Sequence, residues 1–410
     1  MKKILKNETT EVQSPKDQFF YRALAALMTF MCLGNQVWWG YEPYGKIFKI
    51  NRFIVTFTGP IMAISQFMYL YVYFNQLTAD ALSIVYCMLP VTLLANIKIR
   101  LAKRDIYKNL MLDFMTKIHL YNYKGEEFIN KTIKKVERYS HQMGYCLIGI
   151  VAFDSLLWCI VPVITNLIHE EAIKNRTMQT QTCLHVWAPF DYRYDFHKWL
   201  IVHIIINVYV VAHGCGILGI FDVVFYIIVF HLIGHIKVLK YKIKTQFEGD
   251  LDDEEVKKRL VNVIKYHAFI IKFFKDVEAA FGINVSGNYL NNLIADSLML
   301  YNLMIIAQDK GTVIIFVVMT TVCITELILM SFILEEVRIQ SDDLPELIYF
   351  MPWENWSLSN KKMLVLILLR IQPELAFVAA GGLRAGVRPM TSIIKSTFSY
   401  YVMLKSSMRE

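Results

Sequence analysis

The sequence predicts an all-α integral membrane protein with seven transmembrane helices, its amino terminus cytoplasmic and its carboxyl terminus extracellular. That class follows from an apolar composition, a series of apolar runs of spanning length, and an alternation of basic residues between the connections. Of 410 residues, 55% are hydrophobic and 19% charged, and the mean hydropathy is +0.38. A soluble core cannot hide so many Leu, Ile, Val, Phe and Tyr side chains, whereas a bilayer solvates them. Glycine and proline, at 18 and 10, are ordinary, so neither disorder nor low complexity is indicated. The seven cysteines are scattered, odd in number and mostly in apolar segments, which argues against a disulfide framework or a zinc site with paired spacing.

The chain opens polar, from Met1 to Asp17, without the apolar core and small-residue cleavage site of a secretory signal. Residues 1–18 are therefore expected to form a cytoplasmic tail. Phe19 to Trp39 is apolar but carries Arg22, Asn35 and Gln36 and is broken by Tyr41-Glu42-Pro43-Tyr44-Gly45, so 19–40 is expected to dip into the membrane or lie along it. Windows of about 20 apolar residues then mark six spans: Phe53 to Tyr73, Ala81 to Ile99, Met143 to Ile168, Trp199 to Ile233, Ile283 to Ala307 and Thr312 to Leu334. Spans one to four occupy 51–235, a mixed-charge helical stretch 236–282, and spans five and six 283–334. Beyond them, Lys361 to Leu369 is too short to cross alone, and Gly381, Gly382 and Gly386 interrupt the chain. Met390 to Leu404, begun by Pro389 in a first helical turn, is the seventh span.

Lys and Arg collect on the cytoplasmic side of short loops. The amino-terminal flank holds Lys2, Lys3, Lys6, Lys16 and Arg22, and the connection Asn75 to Thr78 holds none. Lys98 to Arg138 carries eleven basic residues, whereas His169 to Lys198 carries only Lys174, Arg176, Arg193 and Lys198. Lys237 to Lys275 carries ten, and Gln308 to Gly311 only Lys310. The alternation puts the amino terminus inside.

This orientation weighs against the obvious seven-span alternative, a G-protein-coupled receptor, which keeps its amino terminus outside. No Asp-Arg-Tyr follows the third span and no Asn-Pro-x-x-Tyr lies in the seventh. A membrane enzyme is the weaker alternative. His231 and His235 lie four apart, on one helix face, and could ligate a metal, but the other histidines do not repeat the spacing, and a structural role is the better reading. No nucleophile elbow, phosphate loop or nucleotide fingerprint is present; Gly381-Gly382-Leu383-Arg384-Ala385-Gly386 reads as a turn between helices. Paired broken helices in equivalent halves, as in transporters, are also missing. No cofactor, metal or nucleic-acid partner is called for.

The last sixty residues carry a more specific signal. Leu344-Pro345-Glu346-Leu347-Ile348-Tyr349-Phe350-Met351-Pro352-Trp353-Glu354-Asn355-Trp356 is followed by Arg370-Ile371-Gln372-Pro373, and then by Gly386-Val387-Arg388-Pro389 leading through Lys395-Ser396, Phe398 and Tyr400-Tyr401 to Leu404. Together these resemble the tail of insect odorant receptors, the Pro-Trp-Glu stretch most like the moth members. The resemblance is detailed over Leu344 to Leu404; upstream it rests on length and inverted topology. The sister gustatory receptors end in a Thr-Tyr segment closed by Gln-Phe, which Lys405-Ser406-Ser407 does not match. The shared co-receptor is longer, so this chain looks like a ligand-specific tuning subunit.

What the resemblance implies is a ligand-gated, non-selective cation channel in the plasma membrane of olfactory neuron dendrites, a heterotetramer with co-receptor subunits. It implies one pore lined by the split seventh helix (386–405), and a cytoplasmic anchor built from 236–282 and 335–372, with Trp353 and Trp356 packing that anchor. On the pore helix, Ser392, Ser396, Ser399 and Met403 share a face, with Ser407 one turn beyond; a serine-lined face leading to a methionine ring is a candidate gate, close helix packing the alternative. The family's pocket, in the outer half of the membrane, points to Ser83, Tyr86 and Cys87 on the second span, Phe153 and Trp158 on the third, His203, Ile206, Tyr209 and His213 on the fourth, Tyr301 on the fifth, and Phe316 and Thr320 on the sixth. So apolar a lining suits a small volatile odorant or pheromone making one hydrogen bond, and disfavours a charged ligand, since no acid cluster is expected to face it. Asp154, Asp222, Asp296 and Glu326 fall within spans, where charge is costly and often functional; Asp222 is placed near the inner end, within reach of water or a basic partner. Asn175-Arg176-Thr177 is a glycosylation acceptor in an outside loop, and Cys183, in the same loop, reads as a free thiol.

Overall fold

The computed structural model describes residues 12–77, 79–303 and 310–407. Its chain is helical almost throughout; the strand-like exception among the described residues is one isolated antiparallel bridge, Val378 to Arg384. Helix α1 (Phe19–Phe30) is 12 residues long, about 18 Å at 1.5 Å per residue and too short for a ~30 Å hydrocarbon core. It buries Phe20, Tyr21, Leu24, Ala25 and Met28 on one face and is followed by a turn at Cys32, whose φ is +62°.

Helices α2 (Lys46–Tyr73) and α3 (Ala79–Ala102) follow, then the short α4 (Asp105–Asp113) and the 42-residue α5 (Glu127–Ile168). Helix α6 (Leu200–Thr245) contains a π-helical stretch at Ile205–Val210. Helix α7 (Asp253–Asn291) continues through a second π stretch, Asn292–Asp296, and on through Ser297–Tyr301. The remainder comprises α8 (Lys310–Asp342), α9 (Leu344–Tyr349), α10 (Leu358–Ile371) and α11 (Val387–Ser407).

Five of the described helices are long and apolar enough to cross a membrane, those containing the expected first, second, third, fourth and sixth spans. The expected fifth span is the end of α7, a helix opened by charged turns, and the expected seventh, in α11, is diluted by Arg388, Lys395 and several Ser and Thr residues. Helices α5 and α6 are about 63 and 69 Å long at 1.5 Å per residue, twice the bilayer core, so each continues well beyond it.

Residues 236–245 complete α6 and 253–282 open α7, so most of 236–282 belongs to these two long helices. Asp252 caps α7 by accepting the Glu255 N–H at 2.7 Å, and Asp253, Glu254 and Glu255 fill its first turn, where acidic charge suits the helix dipole. Ser357 caps α10, and Asn360 donates to the Asp253 carbonyl at 2.9 Å, fixing α10 to the start of α7. Trp356 packs 5.5 Å from Phe247, and the Trp353 indole donates to the Tyr349 carbonyl.

Helix α6 is the central post. Ile220 to Val229 are ten consecutive buried residues, as expected of a helix apolar on every side and packed all round. His231 and His235, raised above as a possible metal pair, are buried cross-links within it. The His235 Nε2 donates to the Ile118 carbonyl at 2.6 Å, leaving Nδ1 to accept from the Tyr266 hydroxyl at 2.8 Å. His231 Nδ1 accepts the Leu120 N–H at 3.4 Å, and its Nε2 faces the Tyr21 hydroxyl. No three-residue cluster able to hold a metal occurs among the described residues.

Candidate ligand-binding site

A cavity of about 170 Å³ lies among α2, α3, α5, α6, α7 and α8, beneath the loop carrying Cys183 and Leu184. Local backbone features open it. Two π stretches border it, contributing Tyr209 and Val210 on α6 and Asn292 on α7, whereas a third, Phe114–Ile118, does not; such widened turns are common beside functional sites. Pro162 in α5 has no N–H to offer the carbonyl four residues back. That carbonyl, on Trp158, is met by the thiol of Cys183, which draws the loop onto the cavity.

The loop is held as a lid by its own bonds. Asn166 clasps Gln181 through two hydrogen bonds of 2.8 and 2.6 Å, the Cys183 N–H donates to Asn207 at 3.1 Å, and Trp187 donates to the Ser65 carbonyl at 2.9 Å. Cys183 is buried, and like the other six cysteines it is free. Asn175 stays exposed on the same segment.

Much of the wall is apolar, but its floor is charged, which the sequence reading did not foresee. Lys98, counted there as a loop cation, is fully buried on α3. Its ammonium pairs with Asp222 and donates to the Leu218 carbonyl at 3.1 Å. Asn284 donates to Asp222 at 2.8 Å, and Asn288 reaches both Asp222 at 3.3 Å and Glu326 at 3.1 Å. The basic partner of Asp222 is thus Lys98, and both Lys98 and Glu326 line the cavity together with Asp154.

Of the residues singled out from sequence, Trp158, Tyr209 and His213 line this cavity. The Tyr209 hydroxyl is pinned by Asn51 at 3.0 Å, and His213 Nδ1 lies 3.0 Å from the Tyr209 carbonyl. Cys87, Ile206 and Phe316 pack with Trp158 in the hydrophobic cluster around it. Thr320 is buried, Tyr301 half-buried, and Tyr86 exposed. His203 is buried against Tyr192 and Phe196 under the lid. Phe153 borders a second cavity of about 560 Å³ among α5, α6 and α8, which shares Val151, Gly219, Val322 and Glu326 with the first and opens where Tyr145, Phe153 and Val317 are exposed. Ser83 and Ser407 lie outside the residues whose side chains are described. Asn288, Asn291 and Asn292 were missed; their signal was three asparagines within five residues of an otherwise apolar span.

From the floor, α7 leads directly to α11. Tyr289, next to Asn288, bonds Ser331 at 2.8 Å and accepts the Gly386 N–H at 3.2 Å. Gly386 has φ +145°, and a Cβ there would lie 2.5 Å from the Glu335 carboxylate, so only glycine fits this root of the helix. On α11 itself, Met390, Thr397 and Tyr401 are buried, Ser396 is half-buried, and Ser392, Ser399 and Met403 are exposed.

Two solved structures of the insect olfactory receptor OR5 from Machilis hrabei share the fold. The one in complex with eugenol matches at a TM-score of 0.76 with 13% identity, covering 94% of this chain and 97% of that one; the other, of OR5 as such, matches at 0.73 with 14% identity, covering 93% and 96%. A search of curated proteins finds no match. The 7tm Odorant receptor family matches residues 108–398, well over half of the sequence. The chain therefore belongs to the odorant receptor family: it is a multi-pass membrane receptor and not an enzyme.

Proposed function

We propose that this chain is the odorant-binding tuning subunit of a ligand-gated, non-selective cation channel, working with co-receptor subunits as a heterotetramer in the plasma membrane of olfactory neurons. The observation that carries the reading is the lidded cavity among α2, α3, α5, α6, α7 and α8 in a chain of the odorant receptor family. Trp158, Tyr209 and His213 contact the odorant, and Cys87, Ile206 and Phe316 shape the cluster around it. The eugenol bound by the OR5 receptor supports a small, largely apolar ligand. The basic-residue alternation supports an inverted topology, amino terminus inside, which speaks against coupling to G proteins.

Helix α11 lines the pore, its Ser392, Ser396, Ser399, Met403 and Ser407 face turned to the axis. A single helix cannot enclose a pore, so several subunits must share that axis if ions pass. The exposure of Phe398, Tyr400, Val402 and Met403 in the isolated chain supports this. Expressed alone, the chain conducts little; expressed with the co-receptor, it gives odour-evoked cation current. Patch-clamp recording of both conditions tests this, and robust second-messenger signalling without the co-receptor would reverse it.

A further inference from the structure

The polar atoms of the cavity are unbalanced: most of its donors are committed to the protein and most of its free groups are acceptors. Lys98 is directed at Asp222 and the Leu218 carbonyl. The Tyr209 hydroxyl donates to Asn51, Thr92 to the Met88 carbonyl, and Asn96 to the Thr92 carbonyl. The amide nitrogens of Asn288 and Asn292 donate to Glu326 and to the Asn288 carbonyl, at 3.1 and 2.8 Å. A carbonyl only accepts, so the Asn292 amide is held with its oxygen turned the other way, and the Asn288 nitrogen, facing Asp222 and Glu326 together, turns its oxygen away likewise.

These oxygens, Asn288 Oδ1 and Asn292 Oδ1, have no partner among the described residues, and both residues are 3% exposed. Asp154 Oδ1 and Asn291 Oδ1 are likewise buried and unpartnered. His213 adds a fifth acceptor. Its Nδ1 faces the Tyr209 carbonyl and so carries the hydrogen, which makes the unpartnered Nε2 an acceptor in the neutral ring. Buried acceptors are normally matched by donors, and here the partner missing from the protein is one the ligand can bring.

We infer that the cavity selects ligands that donate a hydrogen bond, taking small alcohols or phenols in preference to aldehydes, ketones, esters or ethers of the same skeleton. Its volume of about 170 Å³ is close to the ~150 Å³ of a cavity known to admit benzene, so the skeleton is a single substituted ring or a chain of similar bulk. A carbonyl or ether would place its own lone pairs against acceptors and leave them unmatched. A site arranged around a substrate hydroxyl rejects the analogue that lacks it. The inference rests on the cavity being the odorant site and adds to that reading the class of ligand.

The test is dose–response recording of cation current in cells expressing the chain with its co-receptor, using benzyl alcohol against benzaldehyde and 1-hexanol against hexanal. Both alcohols are expected to be at least about tenfold more potent than their aldehydes. In Asn291→Leu/Asn292→Leu, matched for surface expression, the potency ratio is expected to collapse towards one. Aldehydes as potent as alcohols, activity from neither alcohol, or a tenfold preference surviving in the double variant would each overturn the inference. Gly214→Leu separates this from failure of the site itself. Gly214 lines the cavity, and a Cβ there meets nothing within 4 Å. Loss of every response in Gly214→Leu, with surface expression preserved, supports the cavity as the site; responses surviving there would overturn both the site and the ligand class.

Discussion

At the scale of single residues, the buried Lys98–Asp222 pair is the most exacting feature of the molecule. Each charge is tolerable because the other, together with Asn284, Asn288 and the Leu218 carbonyl, replaces its lost water. Lys98→Met leaves Asp222 uncompensated and should cost about 3–5 kcal/mol. The midpoint of thermal unfolding in detergent should fall accordingly, while Lys98→Met combined with Asp222→Leu recovers much of the loss; equal loss in the single and double variants would show that the pair is not what matters. A second residue-scale prediction concerns pH. Burial, reinforced by neighbouring His235 and His141, pushes the His119 imidazole down to about 3 from its usual 6.5. The unfolded chain takes up that proton below about 6.5 and the folded one does not, so this contribution is complete above 6.5 and declines as pH falls towards 3, by about 1.4 kcal/mol per unit. Unfolding at pH 7.5 and pH 5 should show the drop, and His119→Gln should lessen it.

At the scale of elements, the candidate cavity is bordered by departures from regular helix. The π stretches at Ile205–Val210 and Asn292–Asp296 border the cavity, and Pro162 releases the carbonyl that receives the lid. None of these was legible beforehand, because helical periodicity reads the same through a π turn and a proline in a span predicts only a kink. The chain reversal at Gly381 and Gly382 was legible, and both adopt positive φ, as a turn between helices requires. Helix α11 carries the element-scale prediction. If its serine face wets the pore up to Met403, exchanging that apolar ring for a polar one favours wetting when the channel is at rest. Met403→Ser should therefore raise ligand-free current severalfold when expressed with the co-receptor; basal and evoked currents matching the wild type would place the gate elsewhere.

At the scale of the whole molecule, the helical membrane fold and the family were readable from composition, apolar runs and the motifs between Leu344 and Leu404. The site was readable only in part. Trp158, Tyr209 and His213 were reachable from span order and side-chain type, but Tyr86 and His203 do not line the cavity, because helix rotation is set by packing that one sequence does not reveal. Lys98 was misread because a basic residue at the end of an apolar run normally marks the interface; here it turns inward to meet an acid 124 positions later. The acceptor-rich floor follows from such pairings and could not be inferred from residue types alone. The central claim is that an odorant seated in this cavity opens the channel. It is tested most directly by recording an odorant panel on cells expressing the chain with its co-receptor, with Trp158→Ala and Tyr209→Ala compared at equal surface expression. Enlarging the cavity should reorder the active odorants, favouring bulkier ones by about tenfold. The wild-type ranking persisting in both variants, or a uniform loss of response to every odorant, would contradict it.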